Sequence, residues 1–228
     1  MPAGASLIPV MIYVHGGKWT GGDKSRASLK PRMFCNAGFL FVSMNYRLIP
    51  KDISSDKRTQ RILKGVFDHT VQGRDVAQAI LWVHNRIADY GGDPDSICLI
   101  GHSAGAHLVA LIATDRRLLN EAGVPLSSIK GVVASDTACY DIAKRLKVQQ
   151  TGNHKHAFGL DEAVLADASP MMHIGDGKGI PPILVVYVSK LPVREQQSQA
   201  FVSKFKEVGV IAKLYFCPNK THQSLNQE

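Results

Sequence analysis

The sequence predicts an α/β domain: a mostly parallel sheet of about six strands, with helices on both faces. Three observations lead there. Short β-branched or aromatic runs alternate with helix-period segments, the runs are apolar throughout, and the stretches between them are long enough for crossovers. A strand covered on both faces needs apolar side chains on both, which separates a buried parallel sheet from a half-solvated antiparallel one.

The runs come in the order PVMIYV (9–14), LFVSMNY (40–46), SICLIG (96–101), KGVVAS (130–135), ILVVYVS (183–189) and AKLYFC (212–217). Between the second and third lies the strongest helical pattern, 74–90, where Val76, Ile80, Val83 and Ile87 recur at three- and four-residue steps. It stops at YGGDPD, glycine followed by proline. A second helix follows Ser103, and a third covers about 194–208, ended by Gly209. Right-handed crossovers wire such an order into one sheet. Two connections, 47–73 and 136–182, exceed a simple crossover, and both leave the carboxyl ends of strands, where open parallel sheets bind ligands. The second reads as a cap- or lid-type insertion in an otherwise single domain spanning 1–228, since no linker divides the chain.

Composition removes several classes. With 228 residues, 45 % of them hydrophobic and 20 % charged, the chain can bury one core and has no low-complexity tract that would keep it disordered. No apolar run approaches the roughly 20 residues of a membrane span, and MPAGASLIPVMIYVHGG lacks the basic leader of a signal peptide. A cytoplasmic location is expected, with a removed leader left open. Cys35, Cys98, Cys139 and Cys217 are far apart and form no C-x-x-C, so neither a disulfide framework nor a zinc site is expected. The net charge of +8 comes from scattered basic residues without interleaved aromatics, which reads as a solvated surface rather than a nucleic-acid face. No cofactor is expected, because G-x-G-x-x-G is absent. Oligomeric state is left open.

The chemistry starts at GHSAG (101–105), a G-x-S-x-G motif at the junction of a buried strand and a helix. A turn this tight forces Ser103 into a strained backbone conformation, and flanking glycines keep neighbouring side chains clear. Ser103 is therefore the candidate nucleophile. The helix start supplies a positive dipole end, and the Ala104 amide points toward whatever Ser103 attacks. YVHGGKWTGGDKS (13–25) also follows a strand. Acyl transfer puts negative charge on a carbonyl oxygen, aligned amides stabilise it by ~3 kcal/mol each, and Gly16 and Gly17 let backbone approach it.

HGGKW, NYRL (45–48), DVAQAILWV (75–83), YGGDPDSICLIGHSAGAHL (90–108), SPMMHI (169–174) and THQ (221–223), in that order, resemble the α/β-hydrolase fold. The resemblance is to the esterase/lipase family with an HGG-type oxyanion loop, the group of hormone-sensitive-lipase-like esterases and arylformamidases. It implies Ser103 as nucleophile, His222 as base, and the amides of Gly16, Gly17 and Ala104 as oxyanion donors. His222 also fits on physical grounds. It lies in a polar loop after the last strand, and an imidazole titrating near neutrality can take and return the serine proton. His102 and His107 flank the elbow and are not expected to reach around it; His15 belongs to the oxyanion loop, and His154, His156 and His173 to the insertion.

The acid is harder to find. The resemblance implies an Asp after the strand at 183–189, and Ser189 or Lys190 stands there instead; a lysine cannot accept the imidazole proton. Asp136, ending the preceding strand, Glu195, in the expected loop, and no carboxylate at all remain as alternatives, with Asp136 favoured. The family also carries two strands ahead of the one at 9–14 and a helix after the histidine, and neither is evident here.

The expected activity is hydrolysis of small carboxylic esters through an acyl-enzyme intermediate. The alternatives are an aryl-formamide amidase with the same machinery and a hydrolase-fold binding protein with weak turnover. Lys51, Lys57, Arg58, Arg61 and Lys64 in one long connection, and Lys144, Arg145, Lys147 and Lys155 in the other, could draw in anionic esters or simply form a solvated rim.

Overall fold

The computed structural model describes residues 7–50, 69–148, 152–175, 179–188 and 191–227. The first two elements are β1 (Ile8–Val14) and α1 (Lys30–Asn36), followed by β2 (Leu40–Met44) and α2 (Val71–Arg86). The central unit is β3 (Gly92–His102), α3 (Ala104–Thr114), α4 (Arg116–Ala122) and β4 (Ile129–Ser135). Then come α5 (Ile142–Val148), α6 (Gly152–Phe158), α7 (Glu162–Asp167), β5 (Ile183–Tyr187), α8 (Pro192–Glu207), β6 (Ala212–Phe216) and α9 (Ser224–Gln227). The strands form one six-stranded sheet in the order β2-β1-β3-β4-β5-β6, every pairing parallel. The sheet is all parallel with helices on both faces, as the sequence predicts, but a short helix, α9, follows His222 where the sequence shows none.

The apolar periodicity of the long helix is realised: Val76, Ile80, Val83 and Ile87 are all buried in the main core. Helix α2 ends at Arg86, one 3₁₀ turn continues to Tyr90, and Gly91 takes the left-handed conformation (φ 87°) that ends it. Residues from α2, α3, α4 and α8 share that core with one face of the sheet, including Leu108, Leu119 and Phe201. The other face carries Met11, Tyr13 and Ile100, with Phe34 of α1 against them.

One strand differs from expectation. The run at 212–217 is apolar enough to suggest burial on both faces, yet β6 is an edge strand with Lys213, Tyr215 and Phe216 exposed. The short helices α1, α4, α5, α6 and α7 carry no periodic signal of their own. Three of them lie in the 136–182 connection, whereas most of the 47–73 connection lies outside the described residues, with Lys51, Lys57, Arg58, Arg61 and Lys64 in that part. No helix among the described residues is long and apolar enough to cross a membrane.

The topology fixes where a site can form. The chain leaves β1 toward β2 on one side and reaches β3 on the other, so the strand order reverses between β1 and β3. The carboxyl ends of strands flanking such a reversal leave a crevice. His15 and Gly16 follow β1, Ser103 follows β3, Asp136 follows β4, and His222 lies in the loop after β6.

Candidate active site

Ser103 sits at φ 57° and ψ −114°, between the last residue of β3 and the first of α3. A side chain there strains the backbone by about 1–3 kcal/mol. The neighbouring glycines explain how the turn closes. A Cβ on Gly105 would lie 2.1 Å from the Val14 carbonyl oxygen, and one on Gly101 would lie 2.2 Å from that of Gly105. Side chains at either position would push α3 off β1 and β3. The next strand repeats the manoeuvre: Asp136 follows β4 at φ 56°. The Ser103 N–H donates to the Ser135 carbonyl at 2.9 Å, and the Asp136 N–H to that of Val186 at 2.8 Å. The ladder therefore runs one residue past the strands, setting Ser103 and Asp136 side by side at the sheet edge.

The loop after β6 closes the constellation. Ser103 Oγ lies 3.1 Å from His222 Nε2, and His222 Nδ1 lies 2.6 Å from Asp136 Oδ2. The carboxylate accepts at His222 Nδ1, so that nitrogen carries the proton and Nε2 is left to accept from the serine. Asp136 is fully buried; its Oδ1 accepts the Val188 N–H at 3.1 Å and its Oδ2 also accepts from Arg194 Nη1 at 2.7 Å. A buried carboxylate so surrounded has its lone pairs satisfied.

Glu195, the other carboxylate weighed, turns away: it accepts from the Tyr187 hydroxyl at 3.3 Å and from Gln199 at 3.1 Å. Ser189 and Lys190 lie outside the described residues. Arg194 belongs to no motif; its place beside Asp136 follows from the position of α8 after β5.

Gly16 abuts the elbow. A Cβ there would be 2.8 Å from the His102 carbonyl oxygen and 3.1 Å from Ser103 Cβ, so only glycine lets this backbone lie against the serine. Gly17 has φ 131°, a conformation open to glycine alone. His15 shapes the same loop: its Nδ1–H donates to the Gly16 carbonyl at 2.8 Å, and its own carbonyl accepts the Tyr46 hydroxyl at 2.9 Å. Ala104, first residue of α3, is buried in an apolar cluster with Trp19, Cys139, Ile142, Phe158 and Leu165.

The remaining histidines have other partners. His107 donates Nε2–H to the Ala168 carbonyl at 2.8 Å and accepts from Trp19 Nε1 at 3.3 Å; burial pulls it down to about 4. His154 packs edge-on to Trp19, and burial pulls it down to about 4 as well. His156 donates to the Pro50 carbonyl and His173 to that of Asp167, each at 2.7 Å. His102 departs from expectation. Although adjacent to Ser103, its buried ring reaches the His222 loop, with Nε2 2.8 Å from the His222 carbonyl oxygen. The signal lay in the period of two along β3, which puts Cys98, Ile100 and His102 on one face. Of the basic residues in the insertion, Lys144, Lys147 and Lys155 are exposed, whereas Arg145 is buried.

A family model described as BD-FAE matches residues 1–205. Among curated proteins, the chain is 30 % identical to Esterase LipQ of Mycobacterium tuberculosis, over 94 % of this chain and 50 % of that one. It is 27 % identical to isoprenylcysteine alpha-carbonyl methylesterase ICME of Arabidopsis thaliana, over 96 % of this chain and 51 % of that one. The chain thus spans about half the length of the curated relatives it matches. Among solved structures, an acetyl ester-xyloside bifunctional hydrolase from Caldicellulosiruptor lactoaceticus superposes with a TM-score of 0.70 at 21 % identity, covering 96 % of this chain and 76 % of that one. Esterase B from Lactobacillus rhamnosis, inhibited by a tributyrin phosphonate, gives 0.69 at 22 %, covering 95 % and 66 %. At these identities the structural likeness speaks to the fold.

Proposed function

The chain belongs to the BD-FAE family of α/β-hydrolase esterases, and on that footing we propose that it hydrolyses small carboxylic esters with Ser103 as nucleophile. The observation that carries the reading is the unbroken relay from Ser103 Oγ through His222 to buried Asp136, at 3.1 and 2.6 Å.

In the proposed reaction Ser103 Oγ attacks the ester carbonyl carbon as its proton passes to His222 Nε2. Asp136 keeps the ring in the tautomer that accepts there and stabilises the imidazolium that forms. The negative oxygen of the tetrahedral intermediate is held by the amides of Gly16, Gly17 and Ala104, with the start of α3 adding its positive dipole end. The imidazolium then protonates the departing alkoxide, leaving an acyl-serine. Water attacks the acyl carbon, His222 takes its proton, and the carboxylic acid leaves as Ser103 recovers the proton.

The insertion at 136–182 acts in this reading as the acyl-side wall, because its Cys139, Ile142, Phe158 and Leu165 share a cluster with Ala104. Named relatives that are esterases support the same substrate class. The test is pre-steady-state release of p-nitrophenol from short-chain p-nitrophenyl esters. A burst stoichiometric with enzyme, absent in Ser103→Ala, is expected. Acetyl, butyryl and formyl-anilide substrates then separate esterase from amidase, and a fluorophosphonate probe reports on Ser103 directly.

A further inference from the structure

We propose that His102 is a positioning residue for His222: a buried, neutral imidazole that tethers the loop of the base by donating its Nε2–H to the His222 carbonyl. The inference rests on the reading of Ser103 and His222 given above, and adds to it the group that holds the base in register with the nucleophile.

The loop after β6 lies at the surface. Pro218, Asn219, Thr221 and Gln223 are exposed, and β6 itself is an edge strand. A loop without apolar anchors is held by polar tethers or not at all. Its far side is tied through α9, where Asn226 accepts from Lys30 Nζ at both its carbonyl and, at 3.0 Å, its Oδ1, which also takes the Tyr13 hydroxyl at 2.9 Å. Its near side is tied at His222 itself, by His102 at 2.8 Å. The two rings lie 4.5 Å apart between centroids, tilted by 35°.

His102 suits the task by place and by protonation. It is the last residue of β3, a strand paired on both sides, and is bonded directly to Ser103. Whatever displaces the nucleophile therefore displaces the tether with it. A carbonyl only accepts, so His102 carries its proton on Nε2. Its bare Nδ1 faces Gly16, where a Cβ would be 3.0 Å away, so the same ring lies between base loop and oxyanion loop. The charged or titratable groups around it are His222, Asp136 and Lys30; burial, reinforced by His222, pulls His102 down to about 3. A neutral donor adds no positive charge beside the imidazolium that forms on His222 during turnover.

The experiment compares His102→Leu, His102→Asn and His102→Gln in the whole chain, with melting temperature, kcat and KM on p-nitrophenyl acetate. The Gln amide nitrogen falls where Nε2 does, and the Asn nitrogen falls where Nδ1 does. Misplacing a base by about 1 Å costs up to 10²-fold, so kcat in the Leu and Asn variants should fall about 10- to 100-fold with KM within about threefold, and Gln should restore kcat to within about threefold. Nitrogen-15 spectra of histidine-labelled wild type should show His102 neutral and protonated at Nε2 at pH 5 and above. Folded Leu or Asn variants with wild-type kcat would overturn the proposal. So would equal kcat in Asn and Gln, the comparison that decides if Leu does not fold, or an Nδ1–H tautomer. If instead wild type and Ser103→Ala turn over the ester alike, the esterase reading fails, while the tautomer measurement still judges the tether.

Discussion

Arg194 places its Nη1 2.7 Å from Asp136 Oδ2, the oxygen that also accepts from His222. The guanidinium comes from α8, the helix after β5, while the carboxylate comes from the end of β4. The acid thus belongs to one strand and its counter-charge to the next. Asp136 is fully buried and Arg194 partly so, which makes the carboxylate sensitive to the loss of its partner.

Asp136→Asn should lower kcat by about 10⁴-fold, the loss seen when the acid of such a relay is neutralised, whereas Glu195→Gln should change it by less than about threefold. Steady-state kinetics on one p-nitrophenyl ester measures both. Comparable, mild losses would leave the imidazole working without an acid.

Arg194→Gln leaves a donor near Asp136 but removes the charge. Stability should fall by about 1–3 kcal/mol, read as a lower urea midpoint, and kcat should fall by less than about tenfold, because His222 and the Val188 amide still bond the carboxylate. A kcat loss as large as that of Asp136→Asn would make Arg194 part of the catalytic unit.

Ser103→Gly should be more stable than Ser103→Ala by about 1 kcal/mol, reversing the usual order of the two residues. Both variants lose the hydroxyl, and only glycine releases the strain at φ 57°. Chemical denaturation of the two variants decides it; an alanine variant as stable as the glycine one would mean the elbow stores no strain.

Acid should destabilise the fold earlier than its carboxylates alone would. Burial holds His102 down to about 3 and His107 and His154 down to about 4, while an unfolded chain takes up these protons near 6.5. The unfolded state then binds more protons throughout the interval. The neutral imidazoles therefore contribute fully above about pH 6.5, and that contribution is lost as pH falls toward 4 and 3. Urea midpoints between pH 7.5 and 4.5 should fall with a slope that His107→Gln flattens. An unchanged slope in that variant would contradict the assignment.

Much of this arrangement is legible in the sequence, and the exceptions have physical causes. Ser103 announces itself because an elbow needs small residues at fixed offsets, and the core face of α2 because a helix repeats every 3.6 residues. His222 is legible from its polar loop after the last strand. Asp136 is only one of three alternatives in the sequence, because 86 positions separate it from His222 and only the pairing of β3, β4 and β5 puts it beside the elbow. Arg194 and Glu195 are neighbours in sequence but diverge by the helical rotation of one residue, which no composition reveals. The exposure of β6 follows from its place at the sheet edge, a property of the whole topology rather than of AKLYFC.

The most direct measurement is mass spectrometry of the intact protein after brief exposure to a short-chain p-nitrophenyl ester, acid-quenched within the first turnover. A single added acyl mass that maps to Ser103, accumulates in step with the burst of p-nitrophenol and is missing from Ser103→Ala is the predicted result. Ester cleavage at an undiminished rate in Ser103→Ala, or an acyl group on a different side chain, would contradict it.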